Sequence, residues 1–211
     1  MLGLPSTTDT DTRLPKEAIA RNVGLDAKTR AMLTDGIERV TVRNAIKPTT
    51  LPIPAGTQVN EIMLVEMRLK ERTVPRQVLT AIARANTHRL VFACTYDDEC
   101  RLAVLLDATL AMGDWQPTDH VRLVLSGVDL DEVWNALASQ VVYGDDGNGL
   151  PRVEERHRRD MRVEELKQEA DRLRRRSKKE RQFSKRNELF MRAKRLENQI
   201  RTMQEDAEWN G

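Results

Sequence analysis

The chain divides at Gly144-Asp145-Asp146-Gly147-Asn148-Gly149-Leu150-Pro151, a stretch that holds three glycines and a proline within eight residues. Because glycine and proline both interrupt helices and strands, we predict a linker over residues 144–151. The charges separate at the same place: residues 1–150 carry 16 basic and 20 acidic side chains, whereas residues 151–211 carry 19 and 13. The overall net charge of +2 therefore conceals an acidic part and a basic part.

The C-terminal part is predicted to be helical. Residues 152–210 contain neither glycine nor proline and consist mainly of Arg, Glu, Lys, Leu and Gln, which have high helix propensity. Apolar residues recur in heptad-like steps of three and four, so we predict a basic coiled-coil arm over residues 152–208. The seam that this arm would present to a partner consists of Leu166, Leu173, Leu189, Leu196, Ile200 and Met203.

The two halves of this seam are out of phase with each other. Between them, residues 177–187 are almost wholly polar apart from Phe183. The arm is therefore either one long helix with a stutter or a helical hairpin. Since no glycine or proline marks a break, we favour the continuous helix, whose leucines would need a partner to cover them.

A dense basic cluster lies in the middle of the arm. Residues 172–195 carry twelve basic side chains and two acidic ones, a local charge of +10. Such a density repels itself unless an anion is near, which favours binding to the phosphates of DNA or RNA or to an acidic partner. The alternative is the solvated exterior of a coiled coil. The candidate binding residues are Arg174, Arg175, Arg176, Lys178, Lys179, Arg181, Lys185 and Arg186.

The part before the linker is predicted to be a globular α+β domain over residues 14–143, with a mixed or antiparallel sheet, preceded by a flexible leader over residues 1–13. Alternation of apolar and polar residues predicts five strands, at residues 37–46, 59–70, 90–96, 101–107 and 121–125. Capping residues and apolar faces predict four helices, at residues 15–22, 26–34, 75–86 and from 129 onward. Asp26 and Asp129 are the predicted N-caps, and Val128 and Val133 have the spacing of a hydrophobic staple.

Several classes of protein are excluded by what the sequence lacks. We expect no signal peptide, because residues 1–13 lack a basic start and an apolar segment, and no apolar run approaches the ~20 residues of a membrane span. Two cysteines, Cys94 and Cys100, are too few for a disulfide framework, so we expect a cytoplasmic protein. No phosphate-binding glycine loop, nucleophile elbow or zinc-ligand spacing is present. The sequence accordingly predicts neither a metal nor a cofactor.

One enzymatic alternative remains. The predicted strand at 59–70 contains Glu61, Glu66 and Lys70, and a strand carboxylate near a lysine is typical of nucleases that use a divalent metal. The usual carboxylate stands two residues before the lysine, where this chain has Arg68. Alternating charges also mark a strand with one solvated face, so the nuclease is the less favoured hypothesis.

The chain also resembles a known family over nearly its whole length. The resemblance is carried by Leu14-Pro15-Lys16, Arg89-Leu90-Val91-Phe92 and, above all, Lys178-Lys179-Glu180-Arg181-Gln182-Phe183-Ser184-Lys185-Arg186-Asn187-Glu188-Leu189. These segments are similar to a bacterial domain-of-unknown-function family encoded beside helicases and DNA methyltransferases in restriction-like anti-phage islands. The resemblance implies an accessory role in a defence complex, with such a helicase or methyltransferase as partner, and transfers no catalytic residue.

We therefore expect a non-catalytic adaptor of a bacterial anti-phage defence complex, which binds a partner protein through its C-terminal helix, with DNA or RNA as a second candidate ligand of the same helix. The alternatives are a divalent-metal-dependent nuclease subunit and a coiled-coil protein that forms homo-oligomers through its seam. No membrane association is expected.

Overall fold

The structure is a computed structural model that describes residues 2–209, with side chains described as far as Glu205. The chain forms two compact units, Met1–Asn148 and Gly149–Gly211. The division falls within the glycine-rich stretch at residues 144–151. A mixed sheet is followed by long C-terminal helices, which is the α+β arrangement predicted from the sequence. No helix within residues 2–209 combines the length and the apolarity that a membrane span requires.

The first unit is built on a seven-stranded sheet. Its strands are β1 (Asp9–Leu14), β2 (Ile37–Ile46), β3 (Ile62–Leu69), β4 (Arg89–Tyr96), β5 (Glu99–Leu106), β6 (Thr109–Met112) and β7 (Gln116–Pro117). The spatial order is β1-β2-β3-β4-β5-β6, and the short β7 pairs with β5. Every pair is antiparallel except β3 with β4. The parallel pair needs a crossover connection, and a helix between the two strands supplies it.

Four helices cover the two faces of this sheet. They are α1 (Lys16–Val23), α2 (Ala27–Gly36), α3 (Arg76–Ala85) and α4 (Leu130–Tyr143). Residues of α1, α2 and α3 form one hydrophobic core with alternate residues of β3 and β4, among them Val65 and Phe92. The opposite face packs against α4, where the Arg89 guanidinium lies 5.3 Å from the centre of the Trp134 ring.

The predicted N-caps are confirmed. The Asp26 carboxylate accepts a hydrogen bond from the Thr29 N–H at 2.8 Å, and the Asp129 carboxylate accepts one from the Glu132 N–H at 2.9 Å. The predicted hydrophobic staple is wrong, because Val128 is 75% exposed. Glu132 holds this segment instead, since its carboxylate accepts the Val128 N–H at 3.0 Å.

A buried carboxylate ties the loop before β3 to the first turn of α4. Asp131 accepts hydrogen bonds from the backbone N–H groups of Thr57, Gln58 and Val59 and from the Thr57 hydroxyl, at 2.7 to 3.1 Å. Burial by itself would raise the pKa of Asp131, but these hydrogen bonds outweigh it and lower that pKa below its usual 3.8. Asp131 therefore satisfies three backbone donors that would otherwise lack a partner.

The prediction of a flexible leader over residues 1–13 is wrong for most of that range. Residues 9–14 form β1, which pairs with β2. Leu2 and Thr8 are buried, and the Asn44 side-chain amide donates hydrogen bonds to the side-chain oxygens of Thr8 and Asp9, both at 2.9 Å. A polar, exposed sequence is compatible with a strand here because β1 lies at the edge of the sheet.

The predicted strand at residues 121–125 is also wrong, although Val121 and Leu123 are buried and Arg122 between them is exposed. The backbone of this segment finds other partners. The Gln140 side chain on α4 accepts the N–H of Val124 and donates to its carbonyl, and the Leu123 N–H donates to the Leu2 carbonyl. Strands β6 and β7, which lie in the segment before these residues, were not predicted from the sequence.

The second unit is a helical hairpin, so the continuous helix favoured above is wrong. The helices α5 (Val153–Lys179) and α6 (Phe183–Trp209) pack against each other along their length. At the turn, Glu180 adopts an extended backbone with ψ of 126°, and its N–H donates to the carbonyls of Arg176 and Ser177. Extended backbone is open to any residue, which explains why the reversal needs neither glycine nor proline.

Candidate nucleic-acid interface

The predicted seam lies between the two helices of the hairpin. Val163, Leu166 and Ile200 form a buried cluster, and Leu196 and Met203 pack against it. Leu173 is also buried, and Leu189 is partly buried. The expectation that these residues face another chain is therefore wrong for the buried members of the seam, because they are covered within the hairpin.

The seam sets which residues of α5 and α6 stand opposite each other. Near the turn, the buried Ser177 hydroxyl donates a hydrogen bond to the Arg186 carbonyl at 2.9 Å. Further along, Ala193 is fully buried, and its small side chain allows a close approach of the helices. The last turns of α5 are in this way held beside the first turn of α6.

This reversal concentrates the basic cluster at one end of the hairpin. Residues 172–186 carry nine basic side chains and one acidic one, a net charge of +8. In a straight helix they would extend over about 22 Å, whereas the hairpin confines them to about 12 Å of helix length. The local charge density is thus nearly twice that of a continuous helix.

One of the eight predicted binding residues is already neutralised. The Arg174 guanidinium forms a two-pronged ion pair with the Glu197 carboxylate, in which Nη2 and Oε2 are 2.7 Å apart and Nε bonds Oε1. The pair raises the pKa of Arg174 and lowers the pKa of Glu197. Because Glu197 lies 23 residues away on α6, only the register of the hairpin reveals this pairing.

The other seven, which we call the tip cations, are exposed and form no ion pair with an acidic side chain in the described part of the chain. The tip cations are Arg175, Arg176, Lys178, Lys179, Arg181, Lys185 and Arg186.

The two helix ends at the tip carry opposite partial charges, because the C-terminus of α5 is partly negative and the N-terminus of α6 is partly positive. The last turn of α5 contains Arg176, Lys178 and Lys179, which suit the partial negative charge of a helix C-terminus. The first turn of α6 contains no acidic residue, but the Glu180 carboxylate just before it accepts a hydrogen bond from the Gln182 N–H at 2.9 Å. The positive potential of the tip therefore comes from its side-chain cations. The tip can therefore attract an extended polyanion electrostatically without a pocket.

The three candidate nuclease residues are not brought together. Glu66 lies within β3 and accepts hydrogen bonds from Arg43 Nη2 at 2.7 Å and Nε at 3.0 Å. Lys70 follows the other end of the strand and donates to the Thr34 carbonyl at 3.0 Å. Glu61 precedes β3, nine residues from Lys70, which corresponds to about 30 Å in an extended strand.

Glu61 has basic neighbours of its own, with Lys47 Nζ at 3.6 Å and His88 Nε2 at 3.9 Å. Among the described residues, no three His, Cys, Asp or Glu side chains are grouped so that they could hold a metal ion.

The cysteines are buried and unpaired with each other. Thr95 stands opposite Cys100 in the β4–β5 ladder, and Cys94 stands opposite Arg101, so the two thiols point to opposite faces of the sheet. Burial raises the pKa of each thiol to about 12. Cys100 adds a smaller increase to the pKa of Cys94, and Glu66 adds one to the pKa of Cys100. Both thiols are therefore protonated and unreactive near neutral pH.

The fold and the site together define a class of protein in which an α+β unit with a mixed sheet is followed by a helical hairpin whose turn is strongly basic. The chain belongs to the family described as Domain of unknown function (DUF4391), which matches residues 2–200. The match includes the sheet unit and most of the hairpin, so the basic turn lies inside the family's domain. The chain matches no curated protein and no solved structure.

Proposed function

We propose that this protein is a non-catalytic accessory subunit that binds nucleic acid through the turn of its α5–α6 hairpin. The observation that carries the proposal is the convergence, within about 12 Å of helix length, of seven exposed cations that form no ion pair with an acidic side chain among the described residues. A phosphate backbone supplies negative charge at regular intervals, which matches a cluster that covers several sides of the helix ends.

The repulsion between the tip cations gives an energetic reason for the tip to bind a polyanion. Two unit charges 10 Å apart in water repel by about 0.4 kcal/mol before salt screening, and seven cations form many such pairs. A nearby polyanion converts this repulsion into attraction and releases its own counterions. The contact is with phosphate and not with base edges, so binding by the tip cations is independent of sequence.

The non-catalytic part of the proposal is supported by the separation of Glu61, Glu66 and Lys70, each of which has other partners. The buried seam supports nucleic acid over a second chain as the ligand of the hairpin, since its leucines are covered within one molecule. The resemblance described above supports a place in an anti-phage defence complex with a helicase or a DNA methyltransferase. In that complex the hairpin holds DNA or RNA.

The test is a titration of labelled oligonucleotides with the full-length protein, followed by fluorescence anisotropy at several salt concentrations. If all seven tip cations contact phosphates, the logarithm of the affinity for duplex DNA should fall with the logarithm of salt with a slope of about −6. A variant with Arg181, Lys185 and Arg186 replaced by Gln should lower the magnitude of that slope by roughly 3.

The matched control removes two opposite charges that already form an ion pair with each other. The double variant Arg174→Gln with Glu197→Gln leaves the net charge unchanged and should leave the slope unchanged, because Arg174 is engaged by Glu197. Circular dichroism checks that each variant keeps its helical content. The proposal is refuted if the wild-type protein binds no oligonucleotide at low salt, or if the triple variant and the control have the same slope.

A further inference from the structure

Two of the three phenylalanines lie on the surface of the hairpin. Phe92 is fully buried in the core of the first unit, whereas Phe183 is 71% exposed and Phe190 is 45% exposed. The inner side of the hairpin is filled by leucine, isoleucine and alanine. Folding therefore gains little from Phe183 and only part of what a fully buried ring would give from Phe190, since both leave much of their surface in water.

The exposed rings lie on one face of α6, beside the tip cations. Residues seven apart are separated by nearly two full turns, so Phe183 and Phe190 point in the same direction about 10 Å apart. The Arg186 guanidinium lies 5.3 Å from the centre of the Phe183 ring. Aromatic surface and positive charge are thus presented together.

This combination distinguishes between two forms of nucleic acid. In a duplex the faces of the bases are stacked inside the helix, and a surface side chain meets mainly phosphates and groove edges. In a single strand the faces of the bases are free to stack on aromatic side chains while cations follow the backbone. Cations alone bind both duplex and single-stranded nucleic acid, but exposed phenylalanines add affinity only for unpaired bases.

We propose that the α5–α6 hairpin selects single-stranded nucleic acid, with Phe183 and Phe190 as stacking platforms for bases and the tip cations as phosphate contacts. At about 3.4 Å per stacked base, the separation of the two rings corresponds to about three steps along a strand. A segment of four or five nucleotides is enough to reach both rings. This inference rests on the proposed function and specifies its ligand.

The experiment compares a single-stranded oligonucleotide with a duplex of the same sequence and length, using the full-length protein at one salt concentration. The wild-type protein should bind the single strand more tightly. Replacing both phenylalanines with alanine should weaken single-strand binding by roughly 10-fold or more and leave duplex binding within about 2-fold. The salt dependence should not change, because no cation is removed.

Two further variants separate stacking from other effects. Replacing both phenylalanines with leucine keeps apolar surface on the helix but removes the aromatic faces, so it should also weaken single-strand binding. Met191→Ala removes an apolar side chain that is 44% exposed on α6 but points about 80° away from Phe183 and about 100° away from Phe190, so it should have no effect.

The outcomes are distinguishable. Absence of binding to either oligonucleotide would overturn the proposed function, and the present inference with it. Binding to both forms with no loss in the alanine variant, or with equal losses on both, would overturn only the selection of single strands. Full single-strand affinity in the leucine variant would show that the rings supply apolar surface, as a protein-docking face does, and would equally overturn base stacking.

Discussion

Replacing Ile200 with alanine should destabilise the α5–α6 hairpin by about 3 kcal/mol. Ile200 is 8% exposed and packs with Val163 and Leu166. The substitution removes three carbons at about 0.8 kcal/mol each and adds the cost of the cavity that remains. Ile200→Val removes one carbon and should cost about 1 kcal/mol.

The assay is urea unfolding followed by the helical circular dichroism signal at several protein concentrations. Because the seam is closed within one chain, the unfolding midpoint of the wild-type protein should be independent of concentration. Met191→Ala, on the exposed side of α6, is the matched control and should change stability by no more than about 0.5 kcal/mol.

Either of two results would refute this reasoning. If Ile200→Ala and Met191→Ala had equal effects, Ile200 would not be buried in the hairpin. If the unfolding midpoint rose with protein concentration and fell on Ile200→Ala, the seam would lie between chains, as in a self-associating coiled coil.

Three other predictions concern the first unit. Asp131→Ala should destabilise the first unit by about 3 kcal/mol in urea unfolding, because it leaves three backbone N–H groups unpaired; an effect below about 1 kcal/mol would contradict the assigned hydrogen bonds. Since the pKa of Asp131 lies below 3.8 in the folded state, the ionised carboxylate should contribute its full share of stability above about pH 5, and this share should be lost as the pH falls through that lower pKa. The urea unfolding midpoint should therefore decline less at acid pH in Asp131→Asn than in the wild-type protein. Cys94 and Cys100 should resist a thiol reagent in the native protein near pH 8 and both react in urea, and rapid native labelling would mean that the thiols are accessible.

The elements that depend on neighbouring residues were predictable from the sequence. Strand β2 was predicted with the bounds that the structure shows, because its composition marks a buried strand over ten residues. The N-caps at Asp26 and Asp129 were predictable for a similar reason, since each carboxylate bonds an N–H only three residues ahead. The basic cluster at residues 172–195 needed only a count of charges.

Apart from the hydrophobic staple at Val128, where the partner Glu132 is only four residues away, the wrong predictions concern partners that are distant in the sequence. Residues 121–125 alternate between buried and exposed as a strand would, but their backbone bonds go to Gln140 and Leu2. Residues 9–14 have the composition of a leader, and β2 converts them into a strand by offering hydrogen bonds at the sheet edge. Neither outcome is encoded in the local pattern, because a pattern of burial does not specify which group accepts a hydrogen bond.

By itself, the sequence determined that this protein has an acidic α+β part, a glycine-rich boundary and a basic helical part with a leucine seam. Only the tertiary structure decided that the seam closes within one chain, that Arg174 is neutralised by Glu197, and that the tip cations and two phenylalanines gather at one end. Helix propensity and charge depend on residue type, so they can be read along the chain. A leucine seam can pack against any complementary helix. The three-residue turn at 180–182 places α6 beside α5 at a small cost in loop entropy, so the seam is covered by a helix of the same chain.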